Sequence, residues 1–140
     1  MIMKEEFQSY KHKVQYYETD QMGIVHHSNY IRWLEEARTD VLEQAGMSYD
    51  LMEKKGVIIP VLEVHTQYRS MTRYGETVEI TVHVKQYNGI TLQLEYEIRN
   101  ETSKELRCVG ETKHCFLDKE GKLLSLKRSR EDVHQIFEKL

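Results

Sequence analysis

Hydrophobic and polar residues follow two different rhythms along this chain, and the change from one to the other outlines its elements. Residues 7 to 17 set Phe7, Tyr10, Val14 and Tyr16 among Lys11, Lys13 and Gln15, which predicts a first strand. Asp20 to Asn29 reads as a loop. Apolar positions then fall at Tyr30, Leu34, Ala37, Val41 and Ala45, spacings of three and four that predict a helix capped by Ser28 or Asn29 and ended by Gly46. Ile31 and Trp33 widen its apolar face beyond a surface stripe, so this helix is expected to be largely buried.

After a short helical patch near Tyr49 to Lys55, the period changes to two. Leu62, Val64, Thr66 and Tyr68 predict one strand, and Val78, Ile80, Val82 and Val84 predict another. Asn88-Gly89 is a hairpin-turn signal before Leu92, Leu94, Tyr96 and Ile98. A further strand covers about Leu106 to Leu117, and Asp118, Glu120 and Gly121 turn the chain out of it. Ser129 and Asp132 resemble a capping box for a last helix carrying Val133, Ile136, Phe137 and Leu140. With no Pro-rich or Ser-rich linker and no internal repeat, the order predicts a single α+β domain over residues 1–140, an antiparallel sheet wrapped around one long helix.

Composition narrows the function classes. Hydrophobic residues make up 39% of the 140 residues and charged residues 31%, a lean core of the kind that goes with burial between subunits. A net charge of −3, a pI near 6.2 and scattered basic residues argue against nucleic acid as a partner. The amino-terminal MIMKEEF is too charged for a signal peptide and no run approaches a membrane span, so a cytoplasmic location is expected. Cys108 and Cys115 lie seven residues apart on one strand, on opposite faces and roughly 23 Å distant, and read as reduced packing residues. No metal site is expected, because HExxH and CxxC spacings are absent.

Reactive groups are densest between Tyr16 and Tyr30, where a strand end meets a helix start. Backbone N–H groups at a helix start carry partial positive charge and can stabilise the oxyanion formed when a carbonyl is attacked. Asp20 is the candidate nucleophile or base, since an ordinary aspartate is already ionised at neutral pH. Taken alone it equally reads as a turn cap acting through Thr19 or Gly23. His27 sits at the helix start, where its N–H or ring can meet the carbonyl, while His26 is expected to point the other way. Tyr16 can donate into the site or serve as core or interface material. Gly23 permits a positive φ and close approach of a ligand, as an ordinary turn also would. GxSxG, Walker A and GxGxxG motifs are absent.

The pattern Tyr16-x-x-Thr19-Asp20-x-x-Gly23-x-Val25-x-His27-x-Asn29-Tyr30-x-x-Trp33-x-Glu35-x-Ala37-Arg38 resembles the signature of the 4-hydroxybenzoyl-CoA thioesterase-like hot-dog family, nearest to its bacterial acyl-CoA and Tol–Pal-associated branch. Pro60 and Phe116-Leu117-Asp118-x-x-Gly121 extend the likeness over nearly the whole chain. The resemblance implies a homodimer with a continuous sheet, or a homotetramer, and an active site between subunits. It implies hydrolysis of an acyl-CoA or acyl-ACP thioester with no separate cofactor, Asp20 as catalytic carboxylate, His27 at the carbonyl, and Tyr16 lining the site. Gly23 and Asn29 fall on motif positions beside the substrate. Some aryl-CoA members carry basic residues where this chain has Asn88-Gly89-Ile90, so Arg69, Arg73 and Lys85 become the candidates for coenzyme A phosphates. The rival readings are a noncatalytic acyl-binding module, which needs no carboxylate, and a hydratase, whose His-containing signature YETDQMG does not match.

Overall fold

The computed structural model describes residues 6–140, so the first five residues of the stretch read for a signal peptide lie outside the described residues. Strands β1 (Tyr10–Lys13), β2 (Val61–Tyr68), β3 (Thr77–Tyr87), β4 (Thr91–Asn100) and β5 (Leu106–Cys115) form an antiparallel sheet in the order β1-β3-β4-β5-β2. Helix α1 (Ser28–Gln44) packs on one face. The short helices α2 (Tyr49–Lys54), α3 (Leu126–Ser129) and α4 (Glu131–Lys139) complete the chain, with Tyr49 and Phe137 packing near Arg38 and Leu42 of α1.

Strand alternation brings Val78, Ile80, Leu94, Tyr96, Ile98 and Cys108 to the helix side, all buried, where they meet Tyr30, Trp33, Leu34 and Ala37 of α1. At Gly110 an added Cβ would lie 2.9 Å from Leu34 Cδ1 and 3.4 Å from the His65 carbonyl oxygen, so the missing side chain lets α1 settle onto β5. Both cysteines are buried and unbridged, as expected, and burial pushes the Cys108 thiol up to about 11.

A polar chain crosses this core. Buried Arg38 donates through Nε to the Tyr49 hydroxyl and through Nη1 to the Tyr96 hydroxyl, each at 3.1 Å. The Tyr96 hydroxyl lies 2.7 Å from Thr112 Oγ1, which in turn lies 2.8 Å from His114 Nε2. Burial, with the charge of Arg38 second, pushes His114 down to about 4.

Three local expectations are corrected. The first strand is only Tyr10–Lys13, because the chain bends into a 3-10 turn over Tyr16–Glu18. Strand β2 forms as expected, and as the edge of the sheet it leaves Leu62 56% and Tyr68 46% exposed, with Tyr68 reaching the Tyr30 ring of α1. Ile31 is exposed on the outer side of α1. The Ser129–Asp132 capping box is not made, because Asp132 ion-pairs with Lys55 while Arg130 Nε donates to the Lys55 carbonyl at 2.7 Å. The Asn88 turn is confirmed, with its Oδ1 accepting from the N–H groups of Ile90 and Thr91 at 2.9 and 2.8 Å.

His114 supplies a pH test of this core. Its folded value lies below the ordinary 6.5, so its contribution to stability is complete above that value and is lost as pH falls through about 4. Urea midpoints should therefore decline between pH 6.5 and 4, and His114→Gln should flatten that slope by about one proton. An unchanged slope in the variant would show that His114 is not the group responsible.

Candidate active site

Between the 3-10 turn and α1 the chain makes a small loop, closed by an antiparallel bridge between Thr19 and Val25 and tied to the neighbouring segment by a bridge between Ile24 and Arg73. Asp20 shapes its tip. One carboxylate oxygen, Oδ1, accepts from the Met22 N–H at 2.8 Å, and its carbonyl accepts from the Gly23 N–H at 3.0 Å. Gly23 sits at φ +77, a left-handed conformation that favours glycine. The turn-cap reading of Asp20 is thus present, acting through Met22. It uses one oxygen, and Oδ2 has no hydrogen-bond partner among the described residues.

The start of α1 differs from the expected one. The N-cap position is His27, not Ser28 or Asn29, and its side chain makes no capping bond; the Ser28 N–H donates instead to the ring Nδ1 of His26 at 3.2 Å. The Asn29 and Tyr30 N–H groups go to the carbonyls of His26 and His27 at 3.0 and 3.3 Å. What remains of the helix-start donors is the His27 N–H, for which the described residues supply no acceptor. The two histidine rings do not point apart but stack at 4.2 Å.

Asp20 and His27 line the same cleft, of about 340 Å³, opposite Tyr68, Arg69 and Met71. Its floor is Tyr30, whose buried hydroxyl donates to Thr72 Oγ1 at 3.0 Å and whose ring lies 5.2 Å from that of Tyr68. Burial pushes the Tyr30 hydroxyl up, so it stays protonated. Arg69 is on the cleft wall with its Nη2 donating to Gln67 Oε1 at 2.8 Å. Arg73 is joined to the loop through its backbone bridge with Ile24.

Three other sequence candidates stand apart from the cleft in this chain. Tyr16 is 77% exposed and turns its ring edge to Tyr74, 5.7 Å away. Asn29 is buried, and its Nδ2 donates to the Glu18 carbonyl at 2.9 Å, which is a structural tie between loop and helix. Lys85 occupies the bulge in β3, ion-pairs with Glu111, and does not line the cleft.

Sequence reasoning missed Glu18. It is buried at 4% exposure, its Oε1 accepts from the Gln15 N–H at 2.8 Å and faces His12 Nε2 at 2.8 Å, and its Oε2 accepts from Trp33 Nε1 at 2.7 Å. Burial alone would raise its pKa, but the hydrogen bonds from Gln15, His12 and Trp33 together hold it below the ordinary value. The available signal was a carboxylate two residues before Asp20 and fifteen before a tryptophan that needs an acceptor when buried.

Residues 14–135, the stretch holding strands β2 to β5 and this loop, match the thioesterase-like superfamily. The chain belongs to that superfamily. A DHNA-CoA thioesterase from Staphylococcus aureus superposes with a TM-score of 0.88 at 34% identity, over 94% of this chain and 89% of that one. A Bacillus subtilis protein named as a candidate acyl-CoA thioesterase is 38% identical over 128 residues, covering 91% of this chain and 92% of its own. An acyl-CoA thioester hydrolase of Escherichia coli O6:H1 is 27% identical, over 63% of this chain and 66% of its own. The fold is therefore the hot-dog fold, and the enzyme class expected from the sequence, a thioesterase, stands.

Proposed function

We propose that this thioesterase-like protein hydrolyses acyl-CoA thioesters at the Asp20 loop, with Asp20 as the carboxylate that starts the reaction. The observation that carries this reading is the free Oδ2 of Asp20 in the cleft that also holds the unpaired His27 N–H. A thioester carbonyl between them would meet a carboxylate on one side and a hydrogen-bond donor at the positive end of α1 on the other. Attack by Oδ2 forms a mixed anhydride and expels the coenzyme A thiolate, and water then cleaves the anhydride. Alternatively, Oδ2 takes a proton from water, which adds to the carbonyl before the thiolate leaves. Both routes develop negative charge on the carbonyl oxygen, where the His27 N–H can stabilise it. The relatives' names favour coenzyme A over a carrier protein as the thiol. Arg69 and Arg73 supply cationic groups for its phosphates.

The site is proposed to be completed by a second copy of the chain. Strand β2 leaves one edge unpaired, with Val61, Leu62 and Val64 exposed along it, and Met22, Met71 and Tyr68 are exposed around the cleft. Antiparallel pairing of β2 with its copy would continue the sheet and cover these residues.

Two measurements test this. Thiol release from short, long and aromatic acyl-CoAs, with an acyl carrier protein thioester alongside, should show turnover of at least one acyl-CoA and weaker turnover of the carrier substrate. Binding of acyl-CoA without hydrolysis of any would favour the noncatalytic module instead. Light scattering at micromolar concentration should give a dimer or tetramer, and Val64→Glu, which places a charge on the β2 edge, should shift it toward monomer. A monomeric wild type would overturn the shared-site proposal.

A further inference from the structure

The chemistry proposed above makes no use of Glu18, yet this one residue touches four segments that meet at the loop. Its carboxylate binds His12 of β1, the Gln15 N–H that opens the 3-10 turn, and Trp33 of α1. Its carbonyl accepts from the His26 N–H and from Asn29 Nδ2, each at 2.9 Å. Glu18 therefore precedes Asp20 by two residues and also holds the residue next to His27. Both functional positions are bracketed by anchors on a single side chain and its own carbonyl.

We infer that Glu18 is a positioning residue, a buried clamp that fixes the Asp20–His27 loop in one geometry against the first turns of α1; its catalytic meaning rests on the hydrolysis proposed at that loop. Between the anchors the loop is held by a few backbone bonds, among them Asp20 N–H to the Ile24 carbonyl at 2.9 Å and Val25 N–H to the Thr72 carbonyl at 2.8 Å. A carboxylate taken out of water is retained only with donors on its oxygens, and three are present here. Such a group contributes more to a unique arrangement than to stability. A displacement of reacting groups by about 1 Å lowers a rate by as much as about a hundredfold, which is the effect that the clamp prevents.

Glu18→Gln keeps the volume but turns an amide NH2 toward Gln15 N–H and His12, or toward Trp33 Nε1, so donor meets donor. In the full-length protein kcat should fall at least about tenfold while KM stays within about threefold, the pattern of lost alignment rather than lost binding. Amide hydrogen exchange at Asp20 and His26 should speed by at least about tenfold while Tyr96, in the centre of β4, is unchanged. Val133→Ala, at a buried position of α4, is the control for general destabilisation and should leave kcat near wild type at a comparable loss of Tm. A kcat loss in Glu18→Gln no larger than in that control, or unchanged exchange at Asp20 and His26, would overturn the clamp. If the wild type turns over no thioester, the hydrolysis reading fails on its own and the exchange data still decide whether Glu18 fixes the loop.

Discussion

A hydrogen bond of 2.7 Å between the Trp33 indole and the Glu18 carboxylate settles how the chain enters its long helix. Each partner makes the burial of the other affordable: the indole N–H needs an acceptor once Trp33 is 1% exposed, and the carboxylate needs donors once water is gone. Trp33 packs on Tyr30, with ring centroids 5.1 Å apart, and Tyr30 forms the floor of the cleft. The same contact therefore sets the seat of α1 on the sheet and the position of the loop preceding it. Farther along, Gly110 gives α1 its close approach to β5, and hydrogen bonds link Arg38, Tyr96, Thr112 and His114 Nε2 under the helix.

Periodicity made the larger elements legible. Tyr30, Leu34, Ala37 and Val41 defined the buried face of α1, and the alternation through Leu92, Leu94, Tyr96 and Ile98 defined the inner face of β4. What stayed hidden depended on partners distant in sequence. The exposure of Leu62 and Val64 follows from sheet order, which no local pattern encodes. Tyr16 reads as strand because its neighbours alternate, but Glu18 draws the backbone into a turn through Gln15, His12 and Trp33. The uncapped start at His27, with the His26 ring taking the Ser28 N–H, escaped because serine and asparagine are the commoner caps and both stand nearby.

The loop that the sequence singled out lines a cleft in the structure, while its donors were read incompletely. Asp20, His27 and Arg69 come together, with Arg73 tied to the same loop, while Lys85 is remote in this chain and Asn29 serves the loop's own structure. Helix-start chemistry reduces to a single N–H, because Ser28, Asn29 and Tyr30 donate to His26 and His27. One oxygen of Asp20 closes the turn, and the other is left without a partner among the described residues, available for the chemistry proposed at this loop. That division lets the fold hold a carboxylate rigidly without consuming it.

The division also makes one substitution decisive. In Asp20→Asn the side-chain carbonyl still accepts from the Met22 N–H, so the turn is retained, but neither a carboxylate nucleophile nor a base remains. Thiol release and a thermal melt measured on the same preparation should show turnover reduced by at least about a thousandfold, roughly 4 kcal/mol of transition-state stabilisation, with Tm nearly unchanged. Wild-type turnover in Asp20→Asn would contradict the account, leaving Asp20 as a turn residue and the chemistry elsewhere.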